Sequence, residues 1–504
     1  MKRNLCILLC IIMIFGVASI ASTSAVVINP AYNATYDEAS LNEAIPGNPT
    51  AKGKCGENAY WGYYADTKTL VINGEGATSL GAWAVEPMYN KYPFEKAVVS
   101  EGITILDGNT FSGCSYVKEI LLPDSLVSIR DYVFFGCTAL KSITIPKNVE
   151  IIGIGLFMNC PALEQITVDV QNKTFDSRDN CNAIVKTEPN ILHAGCRTTK
   201  IPTSVEIIGG GAFLGCVGIV DVAIPNNITE IYGRAFEDCK DLETVTMTSS
   251  VEKIGLNAFT NCAKLKSITL SDKLKSIDML FYGCESLKSI TIPDSVINIS
   301  QSSFNGCKSL SKVDFGNGVE VIGPMAFSGC TSLKTVNIPS SVKNIMPHAF
   351  ADCTAIESIT VNNPECEIGD KEKTFPEKAT IYGYENSTAQ VYAKKYNRKF
   401  VGSLGEYQPT IPNKPATPDQ PATPDQPTTP NEPSLPIGDV DMDKEVSILD
   451  ATAIQLHIAQ RVLLSENALA LADADIDGEV TVLDATEIQL FVAKKISSIP
   501  RAGR

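Results

Sequence analysis

The sequence predicts a multidomain chain that combines a solenoid of short β-strands with a small all-α module. Two observations predict this architecture. One is a repeat of 22 or 23 residues that carries a cysteine in each unit, and the other is a tandem pair of acidic 12-residue segments near the C-terminus. At 504 residues and 44% apolar content, the chain is long enough for more than one hydrophobic core.

The N-terminus has the pattern of a secretory signal peptide, predicted over residues 1–25. Met1-Lys-Arg is followed by an apolar run from Leu5 to Ile20 and by small residues ending at Ala25. A retained membrane anchor is the alternative, although the run is short for a membrane span. The net charge of −15 and pI of 4.9 disfavour a nucleic acid or an anionic membrane as partner. We therefore expect a secreted, extracellular protein without membrane insertion, in which residues 26–54 form an N-terminal segment.

The cysteine repeat predicts the solenoid, because each unit is too short to bury a core without its neighbours. One unit reads FGCTALKSITIPKNVEIIG from Phe135 to Gly153. The spacing L-x-x-I-x-I turns one face of a short strand inward. The segment V-x-x-I-G predicts a second short strand, which leads to an A-F-x-x-C corner. The repeated cysteines are Cys114, Cys137, Cys160, Cys216, Cys239, Cys262, Cys284, Cys307, Cys330 and Cys353.

One gap of 56 residues interrupts the period between Cys160 and Cys216. It exceeds two periods of 23 by ten residues, which predicts a hairpin insertion at about 169–201. Of the cysteines outside the period, Cys181 and Cys196 are the expected disulfide pair, and Cys55 and Cys366 have no obvious partner. The periodic cysteines suggest metal or redox chemistry at first sight, but packing as small apolar residues in equivalent corners is the preferred interpretation.

The outward-facing position of the first strand is occupied mostly by threonine and never by an aromatic residue. This pattern has two interpretations: a flat polar platform for a protein partner, or the ordinary preference for threonine on an exposed strand. The position is held by Leu121, Thr144, Thr167, Ala223, Thr246, Thr269, Thr291, Asp314, Asn337 and Thr360.

The repeat unit resembles the leucine-rich repeats of BspA-like bacterial surface proteins. The segment from Cys55 to Gly76 is similar to the N-terminal cap of that family, and the segment from Thr380 to Ala393 is similar to its C-terminal cap. The resemblance implies an N-terminal cap at 55–113, repeats at 114–361 and a C-terminal cap at 362–404. Residues 405–436 follow as a Pro/Thr-rich linker with proline at every third position from Pro409 to Pro436, which predicts a semi-rigid polyproline II spacer.

The two acidic segments, from Asp439 to Asp450 and from Asp473 to Asp484, have the spacing of EF-hand-like calcium loops. Oxygen ligands recur at loop positions 1, 3, 5, 7, 9 and 12, where a tightly wound loop directs them at one point. A solvated acidic surface is the alternative. The expected ligands of two calcium ions are Asp439, Asp441, Asp443, Glu445, Ser447 and Asp450 in loop one, and Asp473, Asp475, Asp477, Glu479, Thr481 and Asp484 in loop two. Lys444 occupies the turn position in loop one that Gly478 occupies in loop two. Because a non-glycine residue is strained in the left-handed conformation of that turn, loop one is expected to bind calcium more weakly.

Each acidic loop is followed by a helix-like segment, and the loop-then-helix duplication resembles the type I dockerin family of the cellulosome. The resemblance implies that residues 437–504 form a dockerin whose partner is a cohesin domain of a scaffoldin. The contact positions it implies are Ile448, Leu449, Gln455, Leu456, Val482, Leu483, Gln489, Leu490 and Lys494.

No catalytic constellation stands out, and the three histidines, His193, His348 and His457, are interpreted as surface or packing residues. We therefore expect a non-catalytic cellulosome component whose repeats bind a protein or a cell surface. A carbohydrate-binding module for polysaccharide degradation is the first alternative. A glycoside hydrolase or protease is the second, because most dockerin-bearing chains are enzymes.

Overall fold

A computed structural model describes residues 42–45, 47–79 and 92–407. This part of the chain is a solenoid of stacked short strands, which confirms the predicted repeat architecture. Each repeat contributes one strand to a first ladder and a second strand to another ladder, and the two ladders enclose the hydrophobic core. Among the described residues, no helix is both long and apolar enough to cross a lipid bilayer.

Three antiparallel strands cover the N-terminal end of the solenoid. They are β1 (Ala51–Lys54), β2 (Gly56–Tyr64) and β3 (Thr69–Thr78). The third strand is long enough to pair twice. Its first half lies parallel to β4 (Lys96–Val99), and its second half lies parallel to β5 (Ile103–Leu106). Both ladders therefore begin on β3.

The first repeats add strands to the two ladders in alternation. The strands β6, β8 and β10 follow β4 in the first ladder, and β7 and β9 follow β5 in the second. Their bounds are β6 (Glu119–Leu121), β7 (Ser128–Ile129), β8 (Ser142–Ile145), β9 (Ile151–Ile152) and β10 (Gln165–Val168).

The insertion is a hairpin, as predicted from the gap in the cysteine period. Strands β12 (Ala183–Lys186) and β13 (Ile191–Gly195) pair antiparallel. The short strand β11 (Phe175–Asp176) also pairs antiparallel with β12, and a 3₁₀ turn at Arg178–Asn180 lies between these two strands in the chain. The second ladder resumes from the hairpin, because β13 lies parallel to β14 (Ile207–Ile208). The hairpin thus takes the place of a repeat strand.

After the insertion the two ladders continue to the C-terminal end. Even-numbered strands from β14 to β28 form the second ladder and odd-numbered strands from β15 to β27 the first. Their bounds are β15 (Asp221–Ala223), β16 (Glu230–Ile231), β17 (Thr244–Thr246), β18 (Lys253–Ile254), β19 (Ser267–Ile268), β20 (Ser276–Ile277), β21 (Ser289–Thr291), β22 (Asn298–Ile299), β23 (Lys312–Asp314), β24 (Val321–Ile322), β25 (Thr335–Ile338), β26 (Asn344–Ile345), β27 (Ser358–Val361) and β28 (Glu367–Ile368).

The corner of each repeat holds a buried phenylalanine between two residues of left-handed backbone conformation. The residue immediately before the cysteine has a φ of 57° to 76° in all ten repeats and is always glycine, asparagine or aspartate. Those residue types tolerate that conformation best. The residue two positions before the phenylalanine is also left-handed, yet there the chain uses residues as large as Tyr132 and Arg234. Phenylalanines of adjacent repeats stack, as in Phe304 and Phe327 at 5.0 Å between ring centroids.

The cysteine of the corner is buried beside the phenylalanine, which confirms the packing interpretation, and in most repeats it also makes a hydrogen bond. In eight repeats the thiol donates to the carbonyl oxygen of the phenylalanine one repeat earlier, at 2.9 to 3.3 Å. The pairs are Cys137–Phe111, Cys160–Phe134, Cys239–Phe213, Cys262–Phe236, Cys284–Phe259, Cys307–Phe281, Cys330–Phe304 and Cys353–Phe327.

The C-terminal end is covered by one short helix and two further strands. After a 3₁₀ turn at Glu372–Thr374, β29 (Thr380–Tyr382) and β30 (Phe400–Val401) extend the first ladder in parallel. Helix α1 (Thr388–Lys395) begins at Ser387, whose hydroxyl accepts a hydrogen bond from the Gln390 N–H. Its buried Tyr392 packs against Phe375 at 5.1 Å, so the phenylalanine stack ends on this helix.

Candidate binding face

The outward positions of the first ladder form a column along the solenoid, here called the polar column, which is divided among several hydrogen-bonded sheets. Strand register pairs Thr144 with Thr167 and Asn337 with Thr360. Their side chains interact along the column: the hydroxyl oxygens of Thr144 and Thr167 lie 2.8 Å apart. The ten residues expected on this face all lie on the outer side of the ladder, and Leu121 is the most apolar of them, with 43% of its surface exposed.

The column continues into the C-terminal cap, which sequence reasoning missed. Tyr382 pairs with Thr360 in the strand register, so an aromatic side chain occupies the next row. The sequence does carry a signal for it, because Thr380-Ile-Tyr382 repeats the strand pattern of Ser358-Ile-Thr360. No aromatic side chain stands among the ten expected positions themselves.

Ion pairs between adjacent repeats flank the polar column. Lys266 Nζ lies 2.5 Å from a Glu243 carboxylate oxygen, and Lys308 Nζ lies 2.7 Å from Glu285. At the N-terminal end the hydrogen bond from Lys118, with another from Lys68, lowers the pKa of Glu95 to about 2. Exposed pairs of this kind contribute little to stability. They do make the face highly charged, with both signs interspersed.

Burial makes the thiols of the solenoid poor acids. It raises the pKa of Cys160 and of Cys284 to about 12, so both are neutral at physiological pH. Deprotonated thiolates are the nucleophiles and metal ligands among cysteine forms. Within the described ranges, no group of three or more histidine, cysteine, aspartate or glutamate side chains is arranged to hold a metal ion.

The expected disulfide between Cys181 and Cys196 is wrong. Both cysteines are free and buried, and their side chains belong to different core clusters on the two sides of the insertion. The Cys196 Sγ contacts the Thr198 hydroxyl at 3.2 Å, while the Cys181 Sγ lies 3.7 Å from the Ala183 carbonyl oxygen. Neighbours in a hairpin that face opposite sides cannot reach the geometry of a disulfide. Cys55 and Cys366 are also free and buried.

The histidines in the described part of the chain are packing or corner residues. His193 is half-buried, its Nε2 lies 3.2 Å from the Gly153 carbonyl oxygen, and its ring packs against Phe175. Burial lowers the pKa of His193, so it is neutral at physiological pH. His348 occupies a left-handed corner position, with a φ of 63°.

The calcium ligands expected between Asp439 and Asp484, the cohesin-contact positions expected between Ile448 and Lys494, and His457 lie outside the described residues. So do the expected signal peptide and the proline repeat of the linker.

Solved structures of bacterial leucine-rich repeat proteins are similar to this chain. A protein from Bacteroides ovatus has 19% identity and a TM-score of 0.43, with 68% of this chain and 98% of that chain covered. A protein from Eubacterium ventriosum has 20% identity and a TM-score of 0.43, with 58% and 92% covered. The pneumococcal vaccine antigen PcpA has 20% identity and a TM-score of 0.40, with 61% and 67% covered. Among curated proteins, none matches this sequence.

The stacked strands and buried corners define a leucine-rich-repeat solenoid. The family model of the BspA type leucine rich repeat region matches residues 86–186, 193–280 and 278–375, more than half of the chain. The chain therefore belongs to the BspA-type leucine-rich repeat family. It also carries a dockerin type I domain, matched at residues 437–492. It is a dockerin-bearing repeat protein of the cellulosomal kind, and neither matched family is a catalytic domain.

Proposed function

We propose that this protein is a secreted, non-catalytic component of a cellulosome. Its dockerin binds a cohesin domain of a scaffoldin in a calcium-dependent manner, and its repeats present a binding surface for another protein or a cell surface. The observation that carries the proposal is the dockerin type I match at 437–492, which contains both acidic loops. The N-terminal pattern of residues 1–25 supports secretion.

The donor chemistry of the two loops fits calcium. Carboxylates, hydroxyls and backbone carbonyls are the hard oxygen ligands that Ca²⁺ prefers, and each loop offers four aspartates. Residues 437–496 carry 12 acidic and 4 basic residues, so bound cations would offset a strong mutual repulsion. We propose one ion in each loop.

Binding to a panel of purified cohesins tests the dockerin part of the proposal. The full-length mature chain is expected to bind at least one cohesin in calcium and to lose that binding in EDTA. The double substitution Asp473→Ala and Asp477→Ala should weaken binding by at least tenfold, whereas Asp314→Ala on the polar column should leave it unchanged. Calcium-independent binding, or full binding by the double variant, contradicts the proposal.

The polar character of the column favours a protein or surface ligand over a polysaccharide. Sugar rings stack on aromatic side chains, and none of the ten expected positions carries one, so that Tyr382 in the C-terminal cap stands alone in its row. Retention of the full-length chain on cellulose, xylan or pectin would instead support the carbohydrate-binding alternative. Turnover of polysaccharide or casein would contradict the assignment as non-catalytic.

A further inference from the structure

Between β14 and β28, one pair of neighbouring strands in the second ladder is not joined by backbone hydrogen bonds. Strands β18 and β20 belong to adjacent repeats, but they lie in separate sheets of six and five strands. The second-ladder strands on either side are paired, with Lys253 in register with Glu230 and Asn298 in register with Ser276. The two facing strand edges are therefore open.

The open edge of β20 is clearest at the residue that follows the second strand. In neighbouring repeats this residue donates to the repeat before it, as Gly255 N–H does to Ile231 O at 2.7 Å and Ser300 N–H does to Ile277 O at 2.9 Å. Asp278 holds the same position, and no backbone hydrogen bond of its N–H is found among the described residues. Its expected acceptor is the carbonyl of Ile254.

The residue that precedes the second strand shows the same break. Glu252 N–H donates to Thr229 O at 2.8 Å, and Ile297 N–H donates to Lys275 O at 2.9 Å. In the part of the chain that the structure describes, the N–H of Lys275 itself makes no such bond to the Glu252 carbonyl. Two donors at the ends of β20, the N–H groups of Lys275 and Asp278, thus lack the bonds that their equivalents make in neighbouring repeats.

A one-residue deletion explains the opening. Phe281 follows Ile277 by four positions, whereas the corresponding phenylalanines Phe259 and Phe304 follow their isoleucines by five positions. This is the one repeat with a 22-residue step between cysteines. The phenylalanine stack holds Phe281 between Phe259 at 6.0 Å and Phe304 at 5.3 Å. The corner also stays joined, because Phe259 N–H donates to Leu280 O at 3.2 Å. We attribute the separation of β20 from β18 to this shortened connection.

A cleft of about 770 Å³ lies along these open edges, a volume typical of ligand sites. Buried Ile254 and Leu274 are among its lining residues. Ion pairs stand at its rim: Lys273 Nζ lies 3.0 Å from a Glu252 carboxylate oxygen, and Lys253 Nζ lies 3.3 Å from Glu230.

We propose that this cleft binds an extended peptide segment of a partner protein by strand addition. A strand parallel to β18 and β20 would donate its N–H groups to the carbonyls of Glu252 and Ile254 and accept from the N–H groups of Lys275 and Asp278. Its backbone groups would pair with the open donors and acceptors of the two strand edges. A peptide strand presents matching groups every two residues, about 6.6 Å apart, which a sugar or a small metabolite does not. This proposal rests on the proposed function, in which the repeats bind a protein, and it specifies that the bound part of that protein is an extended peptide segment.

The test uses a displayed library of random eight-residue peptides, panned on the full-length mature chain. The counter-selection target carries one serine inserted between Asp278 and Met279, which restores the five-residue connection and closes the ladder. Peptides enriched on the natural chain are expected to bind the insertion variant at least tenfold more weakly. They should also lose binding when the backbone N–H groups on one edge are N-methylated.

A matched pair of substitutions keeps the test independent of the insertion variant's folding. Lys275→Pro removes the proposed donor and is expected to weaken peptide binding about tenfold. Lys275→Ala removes only the side chain and should leave binding within about twofold. Equal binding by the proline and alanine variants, or no enrichment on the natural chain over the insertion variant, overturns the proposal.

Hydrogen exchange on the free chain provides a direct measurement of the open edge. The amides of Lys275 and Asp278 should exchange faster than those of Ile297 and Ser300, and a peptide should slow them. Equal protection in the free chain overturns the proposal. Cohesin binding is read separately: EDTA should abolish it and leave peptide binding intact, so a failure of the dockerin function and a failure of the cleft are distinguishable.

Discussion

The thiol of Cys307 donates a hydrogen bond to the carbonyl oxygen of Phe281, one repeat earlier, with the sulfur 3.2 Å from the oxygen. Both residues are fully buried. The cysteine therefore fills a corner of the core and also gives the Phe281 carbonyl a second hydrogen bond, beside the one from the Cys284 N–H at 3.1 Å.

Cys307→Ala should destabilise the solenoid by about 1–3 kcal/mol. The substitution leaves a small cavity and removes one of the two hydrogen bonds that the buried Phe281 carbonyl accepts, while the bond from the Cys284 N–H at 3.1 Å remains. Cys307→Ser keeps a donor and should lose less stability. Thermal unfolding of the full-length chain measures both variants. Equal losses for alanine and serine would show that the thiol acts only by filling space.

The buried thiols make the solenoid sensitive to alkaline pH. The pKa of Cys284 rises to about 12 in the folded chain because burial disfavours the thiolate. In the unfolded chain the thiol ionises near its ordinary pKa of 9.0, so above that pH the unfolded state loses protons first. Stability should be unaffected by this group below about pH 8 and should fall from pH 9 towards pH 12. Chemical unfolding at a series of pH values measures the slope, and Cys284→Ala should reduce it.

The same burial protects the thiols from alkylation. At pH 8 the fourteen cysteines of the described ranges, all of them free and buried, should resist iodoacetamide in the native chain. All should react after denaturation in guanidinium chloride. Peptide mass mapping locates the modified sites. Rapid native-state labelling of Cys181 or Cys196 would contradict the buried placement of the hairpin cysteines.

Ile297→Pro and Lys275→Pro should differ sharply in stability, although both positions precede a second-ladder strand. Ile297→Pro removes a hydrogen bond of 2.9 Å to the Lys275 carbonyl and should cost about 1–3 kcal/mol. Lys275→Pro removes a donor from an open strand edge, where proline is tolerated, and should change stability by less than about 0.5 kcal/mol. Similar losses in thermal unfolding would indicate that the β18–β20 edge is paired in solution.

The two calcium loops should bind with unequal affinity. Lys444 in loop one occupies the turn position that Gly478 holds in loop two, and a non-glycine residue there costs roughly 1 kcal/mol, or about fivefold in affinity. Lys444→Gly should bring the two sites closer together, and Gly478→Lys should weaken the tighter one. Calorimetric calcium titration of the full-length chain measures both. Two equal sites in the natural chain would contradict the expectation.

Much of the architecture could be predicted from the sequence because a repeat imposes the same local pattern many times. The spacing of Leu140, Ile143 and Ile145 predicts an inward strand face, and these side chains are buried in the solenoid core. The 56-residue gap predicts the hairpin at β12 and β13. The exposed polar column was likewise predicted from strand alternation, but its extension to Tyr382 required the register of the C-terminal cap.

The predictions that failed or fell short concern which groups lie beside a given side chain in the folded core. Cys181 and Cys196 looked like a pair because they are close in sequence and outside the period, but the hairpin directs their side chains into different core clusters. The thiol-to-carbonyl hydrogen bonds were missed as well, because residue type and spacing in the sequence do not reveal which backbone carbonyl lies beside a buried thiol.

The sequence by itself determined the repeat with its inward and outward faces, and it predicted the spacer and the acidic loops, because each follows from local spacing of residue types. Only the tertiary structure decided what the 22-residue repeat does. A shortened connection could have been absorbed anywhere along the turn, as a tighter corner or as a bend in the stack. The stacked phenylalanines fix the corner at Phe281, so the missing residue separates β20 from β18 and leaves the N–H groups of Lys275 and Asp278 without the bonds that their equivalents make in neighbouring repeats.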